Sequence, residues 1–109
     1  MNRILEIRTY RLKDNSRDEF HRLVVEQSLP LLEAAGTDVV AFGPSLDEPN
    51  AYFLAGAYDS IEELRASQDA FYSSDAWRQG PREAIVALIE STTGAAFELS
   101  EEAIEAMRR

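Results

Sequence analysis

The chain has 109 residues, of which 45% are hydrophobic, and its formal net charge at pH 7 is −9. This length predicts one domain with one core, and an acidic chain with scattered Lys and Arg is not expected to bind nucleic acid or anionic membranes. Without cysteine there is no disulfide and no metal site built on sulfur. No leader pattern and no apolar run near the ~20 residues of a membrane span occurs, so a cytoplasmic protein is the expectation.

The first predicted strand covers residues 4–12 and alternates along two faces. One face carries Leu5, Ile7 and Thr9, and the other carries Glu6, Arg8 and Tyr10. A carboxylate, a guanidinium and a phenol on one face either meet solvent or pair with each other inside a cavity or an interface. The pattern therefore predicts a pocket and does not identify its ligand.

A helix is predicted to begin at Arg17, where Ser16 and Glu19 form a capping-box pattern, and to end at Gly36. Pro30 cannot donate a backbone hydrogen bond, so we expect a kink near Ser28 within one helix. The apolar stripe of this helix is Phe20, Leu23, Val24 and Leu31, interrupted by Gln27.

Two strands follow, over residues 39–42 and 51–58, and small residues at 55–57 leave room for a ligand. A second helix opens at Ser60 with Glu63 as a capping box and breaks at residues 72–75. Gly80 and Pro81 start another helix. A fourth strand covers residues 92–99, with Gly94 as a weak point, and residues 101–109 form a candidate tail helix.

The element order β-α-β-β-α-β predicts an α+β ferredoxin-like sandwich with an antiparallel sheet in the order 4-1-3-2. Residues 1–99 would form the core of the domain and residues 100–109 its helical tail. Helices are expected to cover one sheet face only. The other face would expose apolar residues, which favours a twofold homodimer.

Three segments, LEIRTYRLK, AYDS and FYSSDAWRQGPREAIVALIES, resemble the bacterial NIPSNAP family, and the resemblance covers nearly the whole chain. It implies one domain over residues 1–109, a dimeric α/β barrel in which two ferredoxin-like sheets face each other. Glu6, Arg8 and Tyr10 match the first strand of the family, and Tyr58 matches its third-strand tyrosine. Gly56 stands where the family often has a large residue, which implies a reshaped pocket.

The candidate catalytic residues are His21, Glu6 and Tyr10. His21 or Glu6 would abstract a proton, and Tyr10 or Tyr58 would donate to a developing oxyanion. A histidine at the margin of a helix stripe is more often half exposed and structural, which is the favoured interpretation of His21. For Glu6 and Arg8, substrate binding and an internal ion pair are equally favoured.

The candidate binding residues combine one cation, one glycine, one tyrosine of the third strand and a group of aromatic rings at the helix break. Core packing is modestly favoured over a pocket wall for these aromatics. In the pocket interpretation they would enclose a flat organic molecule between sheet and helices. The set is Arg8, Gly56, Tyr58, Phe71, Tyr72 and Trp77.

Two functions follow from these residues. The first is a cofactor-independent protein that binds or transforms a small, largely apolar organic molecule, by monooxygenase-like or proton-transfer chemistry. The second is a non-catalytic dimeric interaction module. A lone histidine and the absence of a nucleotide-binding loop lead us to expect no haem, flavin or zinc.

Overall fold

A computed structural model describes residues 1–108 of the chain. Four antiparallel strands form one sheet in the order β2-β3-β1-β4. This order confirms the predicted α+β ferredoxin-like topology, because it is the order 4-1-3-2 read from the opposite edge. The strands are β1 (Asn2–Leu12), β2 (Asp38–Pro44), β3 (Ala51–Tyr58) and β4 (Ile89–Ser100).

The connection from β1 to β2 is a continuous helical run of α1 (Arg17–Leu23), a π-helical turn (Val24–Ser28) and α2 (Leu29–Ala34). The distortion lies just before Pro30, as predicted, and the wider π turn accommodates a residue that has no N–H to donate. Ser16 makes no capping hydrogen bond with its side chain, so the predicted capping box is wrong. Glu19 is held instead by Arg22, at 2.6 Å.

The connection from β3 to β4 contains α3 (Ile61–Ser73), α4 (Asp75–Arg78) and α5 (Arg82–Val86). The second predicted capping box forms in part: Ser60 Oγ accepts from the Glu63 backbone N–H at 3.0 Å, but the Glu63 carboxylate accepts from the N–H of Asp59, one residue before the N-cap, at 2.9 Å. The helix break follows, with Ser74 capping α4. None of the helices within residues 1–108 combines the length and apolar character that crossing a bilayer requires.

The main hydrophobic core lies between these helices and one face of the sheet. Its rings are in contact: the centroids of Phe20 and Tyr52 are 5.0 Å apart, and those of Phe71 and Trp77 are 5.4 Å apart. Both helical connections therefore cover the same sheet face. The buried members are Leu12, Phe20, Leu23, Val24, Leu29, Tyr52, Phe71, Trp77 and Ile85.

A last helix, α6 (Glu101–Met107), packs on the opposite face of the sheet, so the expectation that helices cover only one face is wrong. Ile104 is 1% exposed and packs with Leu5 and Val40. Seven residues are too few for a stable isolated helix, and Arg108 ties the end of α6 to Asp38 at 2.7 Å. Arg109, the last residue of the predicted tail helix, lies outside the described residues.

Candidate functional site

A cavity of about 610 Å³ lies between the sheet and the helices, at the side of the sheet that carries Tyr10 and Tyr58. This volume is in the range of pockets that bind small organic molecules. Most of its wall is apolar, and the apolar lining includes Phe20, Val24, Leu32, Leu54, Phe71, Trp77, Ile85 and Ile89.

The polar end of the cavity is built on β1, where Glu6 and Arg8 point to the same side. Arg8 Nη2 donates to Glu6 Oε2 at 3.1 Å, and Gln68 Nε2 of α3 donates to Glu6 Oε1 at 2.6 Å. Arg8 Nη1 donates to Thr92 Oγ1 of β4 at 3.2 Å. The charged pair is thus an internal ion pair, and it also borders the cavity.

Gly94 of β4 makes room for this ion pair. It lies opposite Arg8 in the sheet, and a Cβ at this position would be 2.7 Å from Arg8 Nη2 and 2.9 Å from Arg8 Cζ. Real Cβ atoms do not approach other atoms so closely. The guanidinium therefore occupies space that a larger residue would fill.

Three tyrosine hydroxyls belong to the same end of the cavity. Burial raises the pKa of Tyr10 well above its ordinary value, and the neighbouring Tyr72 adds to this rise. Burial is also the main cause of the raised pKa of Tyr58 and of Tyr72. These phenols are consequently protonated at neutral pH and can donate hydrogen bonds to a ligand.

The helix break between α3 and α4 forms the aromatic wall opposite the sheet. Phe71, Tyr72 and Trp77 are in mutual contact, with ring centroids 5.2 to 5.5 Å apart. Phe71 and Trp77 are buried, whereas Tyr72 is 44% exposed. Phe71 and Trp77 belong to the hydrophobic core and line the cavity at the same time, whereas Tyr72 lines the cavity without belonging to the core.

Gly56 lies beneath the Tyr58 ring. A Cβ at residue 56 would be 3.3 Å from Tyr58 Oη and 3.5 Å from Tyr58 Cε2. The missing side chain therefore lets the tyrosine ring fold back along its own strand. The run of small residues predicted open space at Gly56, whereas the structure places the Tyr58 ring there.

His21 is the one candidate residue that the structure places outside the cavity lining. Its Nδ1 is 2.6 Å from the hydroxyl of Tyr52, and its ring lies beside that of Phe42. Burial raises the pKa of Tyr52 to about 12, so this phenol is neutral at pH 7. The other eight candidate residues line one cavity: Glu6, Arg8, Tyr10, Gly56, Tyr58, Phe71, Tyr72 and Trp77.

The interpretation of the sequence missed Gln68, Thr92 and the role of Gly94 at the polar end. Gln68 did carry a signal, because it is a polar residue in line with the buried Leu64 and Phe71 on α3. Thr92 carried none, since a threonine on an edge strand is ordinary. Within residues 1–108, no group of three or more His, Asp or Glu side chains is arranged to hold a metal ion.

Comparison with known proteins shows a fold shared with solved structures. A NIPSNAP family protein of unknown function from Agrobacterium tumefaciens superposes with a TM-score of 0.81 and 20% identity, over 90% of this chain and 88% of that one. A second NIPSNAP family protein from the same organism gives 0.82 and 17%, over 91% and 87%. A candidate antibiotic biosynthesis monooxygenase from Nitrosomonas europaea gives 0.66 and 14%, over 87% and 88%. No protein-family model and no curated protein matches the sequence.

Proposed function

We propose that this chain, which has the fold of the NIPSNAP family proteins and which we assign to that family, binds a small, largely apolar organic molecule between its sheet and helices. The observation that carries the proposal is the cavity of about 610 Å³. Its walls are mostly aliphatic and aromatic, and Glu6, Arg8, Gln68 and Thr92 form one hydrogen-bonded polar cluster among them. Such a combination is typical of sites that bind an apolar body and orient it through a few polar contacts.

The single tryptophan of the chain supplies a reporter for this binding, because Trp77 lines the cavity. Titration with tetralin, an uncharged bicyclic hydrocarbon, is expected to change Trp77 fluorescence in a saturable way. Leu54→Phe adds a ring to the cavity wall and should weaken tetralin binding at least tenfold. Leu46→Phe is the matched control, since Leu46 is fully exposed.

Equal affinity of the unmodified protein and Leu54→Phe for tetralin would contradict binding in this cavity. So would the absence of a saturable response in the unmodified protein. The circular dichroism of each variant should match that of the unmodified protein, so that a loss of binding is not confused with a loss of fold.

A second candidate function is catalysis on the bound molecule without a cofactor, by monooxygenase-like or proton-transfer chemistry. It is favoured by the carboxylate of Glu6 beside the protonated phenols of Tyr10 and Tyr58 at the cavity. Glu6 would abstract the proton, and a tyrosine would donate to the developing oxyanion. Turnover of a bound compound that is lost in Glu6→Gln, with binding retained, would establish it.

The alternative is a non-catalytic interaction module, and one observation favours it. Both carboxylate oxygens of Glu6 already accept hydrogen bonds, from Arg8 and Gln68, as they would in a purely structural ion pair. Under this alternative, Glu6→Gln would lower the stability of the protein and would change no reaction.

We also propose a twofold homodimer through the outer sheet face, which is the face that carries α6. Beside α6 this face leaves Phe97 51% exposed, and it also carries the partly buried Ile7 and Phe53. Exposed apolar residues on a sheet favour association with a second copy. Light scattering at micromolar concentration should give twice the 12.2 kDa mass of the chain, and Phe97→Glu should shift the protein to the monomer.

A further inference from the structure

The chemistry of the polar end of the cavity identifies the class of ligand, an inference that rests on the proposed binding function. We propose that the polar group of the ligand is an uncharged hydrogen-bond acceptor, such as a carbonyl oxygen, which accepts from the hydroxyl of Tyr10. Ligands that end in a carboxylate or an ammonium group are bound less well than their uncharged counterparts.

The charges that border the cavity are balanced. Glu6 and Asp69 contribute two negative charges, and Arg8 and Arg82 contribute two positive charges. Asp69 and Arg82 are exposed residues in contact with solvent. In the interior, Glu6 and Arg8 are 3.1 Å apart and neutralise each other. A charged ligand would therefore enter without a free counter-ion, and burying an unpaired charge is unfavourable.

The geometry of Arg8 strengthens this point. Its guanidinium lies over Gly94 and donates to Thr92 and Glu6, which draws it towards β4. A ligand carboxylate would compete with Glu6 for Arg8. A ligand ammonium would compete with Arg8 and Gln68 for Glu6, whose two oxygens already accept hydrogen bonds.

Two phenol hydroxyls at this end of the cavity remain free to donate a hydrogen bond to a ligand. The hydroxyls of Tyr10 and Tyr72 make no hydrogen bond with another residue in the range 1–108, and both tyrosines line the cavity, Tyr10 partly buried and Tyr72 44% exposed. Within residues 1–108 every fully buried side-chain oxygen and nitrogen has a hydrogen-bond partner, so these two unpaired hydroxyls are open to the cavity or to solvent. Because these phenols keep their protons at neutral pH, each can donate a hydrogen bond to an acceptor on the ligand.

The experiment compares four ligands that share one carbon skeleton: tetralin, 1-tetralone, tetralin-1-carboxylate and 1-aminotetralin. Affinities are measured at pH 7 by Trp77 fluorescence and by calorimetry. We expect 1-tetralone to bind about three- to tenfold more tightly than tetralin, as one net hydrogen bond gives. The carboxylate and the amine should bind more weakly than tetralin.

Tyr10→Phe should bring the affinity for 1-tetralone to within twofold of the affinity of the same variant for tetralin. Thr9→Val is the matched control, because it removes a hydroxyl from the adjacent residue of β1, on the opposite sheet face. In this control the preference for 1-tetralone should remain.

Three results would overturn the inference. Tighter binding of the carboxylate or the amine than of 1-tetralone would contradict the uncharged ligand and leave the proposed function intact. An unchanged preference for 1-tetralone in Tyr10→Phe would contradict the assignment of the donor. Failure of all four compounds to bind would contradict the proposed function itself, and the inference with it. The ligand series in the unmodified protein is informative even if a variant does not fold.

Discussion

The hydroxyl of Tyr52, a residue of the cavity lining, lies 2.6 Å from Nδ1 of His21, which is not part of that lining, and this hydrogen bond joins β3 to α1. The two rings are also in contact, with centroids 5.7 Å apart. The only histidine of the sequence is therefore bonded to the outer end of a core tyrosine. This geometry favours the structural interpretation of His21 over a role as general base.

The first prediction concerns this pair. In a double-mutant cycle of His21→Ala and Tyr52→Phe, we expect a coupling of about 0.5–1.5 kcal/mol in the free energy of unfolding, because each variant removes the same hydrogen bond. Urea unfolding measures it. The affinity of His21→Ala for tetralin should stay within twofold of the unmodified protein, and a tenfold loss would place His21 in the site.

The second prediction concerns Gly94. Gly94→Ala should lower stability by about 1–3 kcal/mol and weaken ligand binding, because the new methyl group displaces the Arg8 guanidinium from its place between Glu6 and Thr92. Thermal unfolding and the Trp77 titration measure the two effects.

Arg8→Ala provides the control for this prediction. The Arg8→Ala variant lacks the guanidinium with which the new methyl group would clash. In this background Gly94→Ala should therefore lower stability only slightly. If Gly94→Ala lowers stability equally with Arg8 and with Ala at residue 8, glycine is required by the backbone of β4 and not by the contact with Arg8.

The third prediction concerns Gly56. In Gly56→Leu the new side chain would press on the Tyr58 ring, which has the cavity to move into. We expect ligand affinity to fall at least tenfold, while stability falls by no more than about 1–2 kcal/mol. Gly56→Leu combined with Tyr58→Ala should recover part of the binding. A large loss of stability without any effect on binding would show that this region is filled core.

The fourth prediction concerns Asp38 on β2 and the pH dependence of stability. The hydrogen bonds of Arg108, and then those of Arg3, lower the pKa of Asp38 to about 2. In the unfolded chain the same carboxyl has a pKa near 3.9. The folded state therefore binds this proton less readily than the unfolded chain does. The stability that the ionised Asp38 contributes is fully present above about pH 5 and is lost as the pH falls towards 2.

Asp38→Asn should accordingly lower stability at pH 6 and make little difference at pH 2, as measured by urea unfolding at several pH values. Asp59→Asn is the matched control, because Asp59 also pairs with Arg3 but its side chain is 78% exposed. Exposed pairs contribute little. A difference between Asp38→Asn and the unmodified protein that does not vary with pH would contradict the prediction.

The amino-acid sequence by itself determined the order of the elements and most of their positions. The alternation of apolar and polar residues around Glu6 and Arg8 defined β1, since a strand turns successive side chains to opposite faces. Pro30 marked the helix distortion because it lacks an N–H. Ser60 and Glu63 marked the start of α3 because their side chains satisfy the free N–H groups there. These are local effects, and local patterns predict them.

Only the tertiary structure decided which residues share a site. Strand alternation separates two faces and does not say which one the helices cover, so the place of Glu6, Arg8 and Tyr10 in the cavity was open until the sheet and helices were assembled. The bond between His21 and Tyr52, the contact of Gly94 with Arg8, and the docking of α6 through Ile104 join residues far apart in the chain. Such contacts depend on strand register and packing, which no local pattern specifies.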